Sequence, residues 1–311
     1  MKTMKRKVIA FGCSLMLLVG VAIPSGGAIA SEATYSDHMQ KVLEENSTYE
    51  GFMQSDDRLT FDEIASLPGA VVGNEYDELK ALKTQSVNEL YALGMDTETV
   101  NRIKTQSVKE MILEHAATFS DAILQKKGLD EDAIAAIRNG EYGLVSEAET
   151  RAVSGQIAVG IASITRSGTV AKYNIFWHWD TKPIQNWTDT LVGSIDGGYK
   201  TTVDCAVRVD YAPMNSMKAD PNMEQRPKPT RDDNAAIIKI RMANASATGW
   251  AVSGKFFVTN TGSYLGALGP HAEYFHAWLP DVDLSIDAGI ISIPIGNVGT
   301  KHIADATIPA A

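Results

Sequence analysis

The spacing of hydrophobic positions changes near residue 150 and divides the chain into two regions. From about Tyr76 to Asn139, apolar residues recur three and four positions apart, as on one face of an amphipathic helix. After Arg151, apolar and polar residues alternate, which is typical of strands with one buried face. The pattern predicts an α+β chain in two parts, with a small helical region over residues 31–150 and an antiparallel β-sandwich over residues 151–311.

Two copies of a short repeat indicate where helices begin in the first region. The sequence KTQSV occurs twice, and a glutamate follows each serine by three positions, giving Ser86 with Glu89 and Ser107 with Glu110. In such a capping box the serine hydroxyl accepts from the backbone N–H of the glutamate, and the glutamate side chain accepts from the backbone N–H of the serine. Each pair is therefore predicted to start a helix.

A longer repeat aligns Gly94–Ile103 with Gly128–Ile137. In both copies a glycine that can end one helix precedes an aspartate, Asp96 or Asp130, that can cap the next. This order indicates helical hairpins. Residues 31–150 hold 24 acidic and 10 basic residues, so three interpretations stay open for this region. It is a docking surface, a pro-segment that masks the second half, or a self-contained domain with a solvated acidic face.

The second region has the pattern of successive short strands. In TTVDCAVRVDY, residues 201–211, apolar side chains fall on every second position. Residues 214–234 are polar and broken by prolines, and they predict a long loop of the kind that often carries function. Further strands are predicted at Ala235–Met242, Trp250–Thr259, Ala272–Leu279, Ile290–Ile295 and Lys301–Ile308.

The aromatic stretch YNIFWHWD, residues 173–180, poses the question whether it is a site or a core strand. Four of its residues share one strand face and are predicted to lie in the core: Tyr173, Ile175, Trp177 and Trp179. If the strand has a functional side, it is the opposite one. The candidate binding residues on that side are Phe176, His178 and Asp180.

The N-terminus has the composition of a secretory signal peptide. Four basic residues precede an apolar run over residues 8–24, and small residues follow up to Ala30. The run is shorter than the roughly 20 apolar residues that a transmembrane helix needs. We therefore expect cleavage after about Ala30, a secreted or extracellular product, and no stable membrane span afterwards. Retention of residues 1–30 as a membrane anchor is the alternative.

The charge of the mature chain argues against two classes of partner. Loss of residues 1–30 removes four of the 28 basic residues and no acidic ones, which leaves 24 basic against 38 acidic residues and a net charge of −14. Nucleic acid and anionic lipid surfaces both attract Lys and Arg, so neither is expected to bind. One cysteine, Cys205, remains after cleavage, and it cannot form an internal disulfide.

Few residues carry recognisable chemistry, and no catalytic residue is predicted. Cys205 falls on the apolar face of a predicted strand, which favours a buried thiol over a nucleophile. His271 and His276 point to opposite faces of their predicted strand, which argues against zinc. Calcium is the one cofactor that stays open, although aspartates also cap turns. Its candidate ligands, in the stretch DVDLSID, are Asp281, Asp283 and Asp287.

Three features occur together in this chain: the export signal, the helical repeat G-Φ-D-x-[DE]-x-Φ-x-x-I, and a strand containing FWHW that is followed by TDTLVGSI. In this combination the chain resembles uncharacterised secreted proteins of Gram-positive bacteria, which join an N-terminal helical-repeat region to a C-terminal Trp-containing β-sandwich. The resemblance implies an extracellular compartment and this architecture. It supplies no catalytic residues to transfer.

The sequence leaves three functions open. The preferred one is a non-enzymatic extracellular or cell-surface binding protein whose sandwich contacts a protein or cell-surface partner. The second is a secreted hydrolase acting on cell-wall or exogenous polymer, which requires converging carboxylates or a histidine–carboxylate pair in a pocket. The third is a membrane-acting toxin or bacteriocin-like protein, in which GQIAVGIASI would form the inserting hairpin.

Overall fold

Two five-stranded antiparallel sheets form a β-sandwich that follows a series of short helices, which confirms the α+β class predicted from the sequence. The computed structural model describes residues 35–92, 95–184, 187–195, 202–232, 235–262, 269–278 and 299–305. The signal peptide predicted over residues 1–30 and the strand predicted at Ile290–Ile295 lie outside the described residues.

The helices are short, between five and ten residues each. In the described part of the chain they are α1 (Asp37–Glu45), α2 (Tyr49–Gln54), α3 (Phe61–Ala65), α4 (Glu75–Thr84), α5 (Val87–Ala92), α6 (Thr97–Thr105), α7 (Val108–Ala116), α8 (Asp121–Lys126), α9 (Glu131–Asn139) and α10 (Glu147–Val153). None of these helices is long and apolar enough to cross a lipid bilayer.

The strands divide into two sheets, which we call sheet A and sheet B. Their bounds are β1 (Val71–Asn74), β2 (Gln156–Ser167), β3 (Val170–Trp179), β4 (Thr188–Ile195), β5 (Thr202–Pro213), β6 (Thr230–Asp232), β7 (Ala235–Arg241), β8 (Gly249–Thr261), β9 (Pro270–Ala277) and β10 (Gly299–Asp305). Sheet A has the strand order β1-β2-β3-β8-β5, and sheet B has the order β10-β9-β4-β7-β6. Every pair of neighbouring strands is antiparallel.

The helix starts follow the capping residues that the sequence predicts. At the start of α7, Ser107 Oγ accepts from the Glu110 N–H at 3.1 Å, and the Glu110 carboxylate accepts from the Ser107 N–H at 2.6 Å. Ser86 and Glu89 make the same reciprocal pair before α5. The aspartates of the longer repeat cap α6 and α9, as predicted. Local hydrogen bonding therefore sets the boundaries of these helices.

The central strands of sheet A, β3 and β8, are buried on both faces along most of their length. The inner face of β3 carries the four residues predicted for the core, each at most 1% exposed: Tyr173, Ile175, Trp177 and Trp179. On the outer face, Phe257 of β8 packs against Phe52 of α2, with ring centroids 5.6 Å apart, and against Tyr49 at 5.7 Å. Helices α1–α3 thus cover the side of sheet A that faces away from the sandwich core.

Among the described residues from Ser36 onwards, the helical region and the sandwich belong to one compact unit. Strand β1 belongs to the helical region in sequence, yet it pairs with β2 at the edge of sheet A. Conversely, Trp278, just after β9, is 2% exposed and packs in the hydrophobic core of α4–α10. Each region therefore contributes residues to the core of the other.

The burial of Trp177 generates a stability prediction. Trp177→Ala is expected to lower the free energy of unfolding by about 3–5 kcal/mol, because it empties a fully buried aromatic site. Trp187 is 39% exposed, so Trp187→Ala serves as the control and should change stability by about 1 kcal/mol or less. Denaturant unfolding followed by circular dichroism compares the two. Wild-type stability of Trp177→Ala would contradict its place in the core.

Candidate functional site

A cavity lies at the edge of the sandwich where the long polar segment crosses from sheet A to sheet B. This segment first pairs with β5, because Val209 and Gln225 exchange backbone hydrogen bonds of 2.8 and 2.9 Å. The Asp220 N–H also donates to the Tyr211 carbonyl at 2.8 Å. The chain then enters β6, which pairs with β7 of the other sheet. The segment therefore bridges the free edges of the two sheets.

The cavity beneath this bridge has a volume of about 670 Å³, within the size range of sites for small ligands. Strands β4, β5 and β7 form its walls, and the bridging segment closes one side. Its lining residues are Thr188, Val209, Tyr211, Gln225, Pro227, Lys239, Ile240 and Arg241. We call this cavity the edge groove.

The groove offers hydrogen-bonding, cationic and apolar groups. Its lining residues include no carboxylate, imidazole or thiol. Lys239 and Arg241 are exposed on β7, and Arg241 makes no ion pair with any residue that the structure describes. Burial raises the pKa of Tyr211 to about 12, and its hydroxyl donates to the Arg241 carbonyl at 2.8 Å. The Tyr211 side chain is thus held in place and uncharged. The lining groups can bind a ligand, but they supply no acid–base pair.

A second group of polar side chains, which contains histidines and carboxylates, lies at the junction of α4 with sheet B. His276 of β9 approaches Asp189 of β4 through Nδ1, at 3.1 and 3.2 Å from the two carboxylate oxygens, and Glu75 of α4 through Nε2 at 3.3 Å. Asp189 also accepts from the Tyr274 hydroxyl at 2.7 Å and from the Ala277 N–H at 2.8 Å. We call this group, with the residues described next, the histidine–carboxylate cluster.

The cluster continues through the second glutamate of α4. Glu78 accepts from Trp278 Nε1 at 3.0 Å, and its other oxygen lies 3.0 Å from His302 Nε2 of β10. Gly73 of β1 permits this approach, because a Cβ atom there would clash with the His302 ring. Two carboxylates from one helical turn are thus held by side chains from β9, from β10 and from Trp278, which follows β9.

The protonation states inside the cluster follow from its electrostatics. Burial disfavours the charged imidazolium of His276, but the Asp189 carboxylate and the hydrogen bond to Glu75 outweigh it and raise the pKa of His276 well above 6.5. Burial also raises the pKa of Glu75, although its contact with His276 works in the opposite direction. This direction favours the imidazolium form of His276 near neutral pH, in which both ring nitrogens can donate to the neighbouring carboxylates.

This cluster is sealed from solvent. Glu75, Asp189 and His276 are 0% exposed, and none of them lines the edge groove. A hydrolase would need a histidine–carboxylate pair in an open pocket. Here the pair has no exposed surface, so a substrate cannot contact it. Its ion pairs and hydrogen bonds instead fasten α4 to β4, β9 and β10.

The candidate binding residues in β3 and directly after it lie under the helical layer. Phe176 is 1% exposed. A ring nitrogen of His178 lies 3.3 Å from the Leu59 carbonyl, and burial lowers the pKa of this histidine. Asp180 accepts from the Gln156 N–H at 2.9 Å and pairs with Lys127. None of the three lines the edge groove, and their assignment to binding stays a prediction.

Other residues singled out in the sequence fall elsewhere. Cys205 is 6% exposed, and burial raises the pKa of its thiol, as expected for a structural cysteine. His271 pairs with Asp305, away from the partners of His276. The calcium candidates Asp281, Asp283 and Asp287 lie outside the described residues.

The groove residues carry no sequence signal of their own. Gln225 and Pro227 fall in the loop predicted over residues 214–234, which pointed to this edge as a place for function. Lys239 and Arg241 follow the ordinary pattern of solvent-facing strand positions. Only the pairing of β7 with β4 and the bridging segment places them beside one cavity.

Comparison with known proteins identifies no family. No family model matches the chain, and no curated protein is similar to it in sequence. Among solved structures, the collagen-binding domain of a Staphylococcus aureus adhesin is 11% identical, with 46% of this chain and 90% of that chain covered and a TM-score of 0.25. The C-terminal domain of the Streptococcus agalactiae AgI/II polypeptide BspA is 8% identical, with 48% and 57% covered and a TM-score of 0.30. These similarities carry no argument about function.

The charge state of His276 predicts a pH dependence. A histidine whose pKa is raised by folding stabilises the protein fully below the unfolded pKa of 6.5, and this stabilisation is lost as the pH rises through the folded pKa. The loss of stability in His276→Gln is therefore expected to be greatest below pH 6.5 and to shrink as the pH rises. Denaturant unfolding over a pH series measures it.

His115 provides the matched control. Burial lowers the pKa of His115 to about 4, so folding disfavours its charged form and its contribution changes only between about pH 4 and 6.5. Above pH 6.5 the effect of His115→Gln should be constant, whereas that of His276→Gln declines. Equal and pH-independent effects of the two substitutions above pH 6.5 would show that His276 is neutral in the folded protein.

Proposed function

We propose that the mature chain is an exported, non-enzymatic binding protein that uses the edge groove to hold an anionic group of a cell-surface polymer. The observation that carries the proposal is the composition of the groove. It combines Arg241 and Lys239 with hydrogen-bonding and apolar groups, and its lining contains no nucleophile or acid–base pair. Such a site recognises a ligand without transforming it.

Charge supports an anionic ligand at this site. Arg241 makes no ion pair with a described residue, so its guanidinium can bind a carboxylate or phosphate in a two-pronged geometry. The strong negative charge of the chain lies in residues 31–150, whereas residues 151–311 carry 14 acidic and 14 basic residues. The groove is therefore on the half of the protein that repels an anionic polymer least.

The remaining lining residues favour a ligand with uncharged parts beside the anionic group. Thr188 and Gln225 offer a hydroxyl and an amide, which suit ligand hydroxyl groups. Val209 and Ile240 are the aliphatic lining residues. Export through the predicted signal peptide would bring this site to the cell exterior, where such polymers occur.

The proposal is tested by cosedimentation of the purified mature protein with isolated Gram-positive cell walls. Wild type is expected to sediment with the walls, and Arg241→Gln should bind about tenfold more weakly, because it loses a charge-assisted contact. Thr188→Trp should also weaken binding by filling the groove. Arg102→Gln, which removes an exposed arginine on α6, is the control and should bind as wild type does.

The same assay separates binding from hydrolysis. Soluble wall fragments in the supernatant, dependent on added protein, would establish a hydrolase and overturn the proposal. Wall binding that is unchanged in both Arg241→Gln and Thr188→Trp would remove the edge groove as the binding site. Absence of wild-type sedimentation at low salt, where charge contacts are strongest, would exclude a wall polymer as the ligand.

A further inference from the structure

A lysine and an asparagine meet in a closed space between α1–α2 and the outer face of sheet A. Lys255 lies on β8, Asn46 follows the last residue of α1, and both residues are 0% exposed. Lys255 Nζ is 2.5 Å from Asn46 Oδ1. An amine and a carboxamide are thus in direct contact away from solvent.

The surroundings of the amine are cationic and aromatic. Its Nζ lies 4.6 Å from the centroid of the Phe52 ring. It also donates to the Ser55 carbonyl at 2.9 Å, and the guanidinium groups of Arg58 and Arg208 donate to the same oxygen at 3.1 and 2.5 Å. Three basic side chains therefore converge on one carbonyl oxygen.

This environment keeps the amine uncharged. Burial, followed by the positive charges of Arg58 and Arg208, lowers the pKa of Lys255 to about 6. At neutral pH most molecules therefore carry the free amine, whose lone pair makes it a nucleophile. The acidic groups nearby are engaged by the arginines, since Arg58 binds Asp210 at 2.6 Å and Arg208 binds Asp56 at 2.8 Å.

The carboxamide is held in place on its other side. Asn46 Nδ2 donates to the Val42 carbonyl at 2.7 Å, which leaves Oδ1 directed towards the lysine. The backbone carbonyl of Asn46 accepts from Asn174 Nδ2 at 2.6 Å. Both reacting groups are thus fixed and desolvated, the two conditions that most accelerate a reaction between neighbours.

We propose that Lys255 and Asn46 join in an intramolecular amide cross-link. Lys255 Nζ attacks the Asn46 side-chain carbonyl carbon and forms a C–N bond. The bond from that carbon to Nδ2 then breaks, and a proton from Nζ passes to the departing nitrogen, which leaves as ammonia. The exchange of one amide for another needs no oxidant, reductant or cofactor.

The cross-link would stabilise this chain covalently, as a disulfide does in other exported proteins. Residues 46 and 255 are 209 positions apart, so the bond fastens α1 to β8 across most of the sequence. A covalent link over so long a segment restricts the unfolded chain strongly, as a disulfide does. Only Cys205 remains after the predicted cleavage, so no internal disulfide can serve this purpose.

Intact mass spectrometry of the purified protein under denaturing conditions tests the proposal. Wild type is expected to be lighter than its sequence mass by one ammonia molecule. Lys255→Met and Asn46→Ala should each have their full sequence mass, whereas the control Lys41→Met, at an exposed lysine, should retain the loss. Proteolytic mapping of wild type should yield one branched peptide that joins the Lys255 and Asn46 segments.

Two results would overturn the cross-link. One is a wild-type protein with its full sequence mass. The other is an ammonia loss that peptide mapping places at a different residue, with separate unmodified peptides for Lys255 and Asn46. Because the wild-type mass and peptide map decide the matter, the test does not depend on whether either variant folds. It is also independent of ligand binding in the edge groove.

Discussion

The burial of two glutamates of α4 is the constraint on which the rest of the structure depends. Glu75 and Glu78 face the protein interior, where an unpaired carboxylate is costly. Their partners are His276, His302 and Trp278, all from the end of the chain. Separation of the helical region from the sandwich would break these contacts and leave His276 and Asp189 without Glu75, so the two regions are expected to unfold together.

The degree of burial also differs among the three groups of polar side chains, and it determines what each group can do. The histidine–carboxylate cluster has the residues of an acid–base site, but its role is cohesion, because it is sealed from solvent. The edge groove is accessible and cationic, and it suits recognition. The buried Lys255 lies in a third place, under α1 and α2, where its neutral amine faces a carboxamide. Burial, more than residue type, determines what each group can do.

Local features of the fold could be predicted from the sequence, whereas long-range ones could not. The alternation in β3 identified Trp177 and Trp179 as core residues, and serine–glutamate spacing located the starts of α5 and α7. Each of these signals acts within a few residues. Glu75 and His276 lie 201 positions apart, and a glutamate on an amphipathic helix follows the same pattern as a solvated one. The groove depends on strand pairing, which no short motif encodes.

The most direct measurement compares two unfolding curves of the same protein. Far-UV circular dichroism reports chiefly on the helices, and tryptophan fluorescence of a Trp278→Phe variant reports on the sandwich, which contains the buried tryptophans of β3 and β8. Because the buried glutamates couple the two regions, the account predicts coincident denaturant transitions with one midpoint. Separate transitions, with helix lost while the tryptophan environment persists, would contradict it and establish two independent domains divided near residue 150.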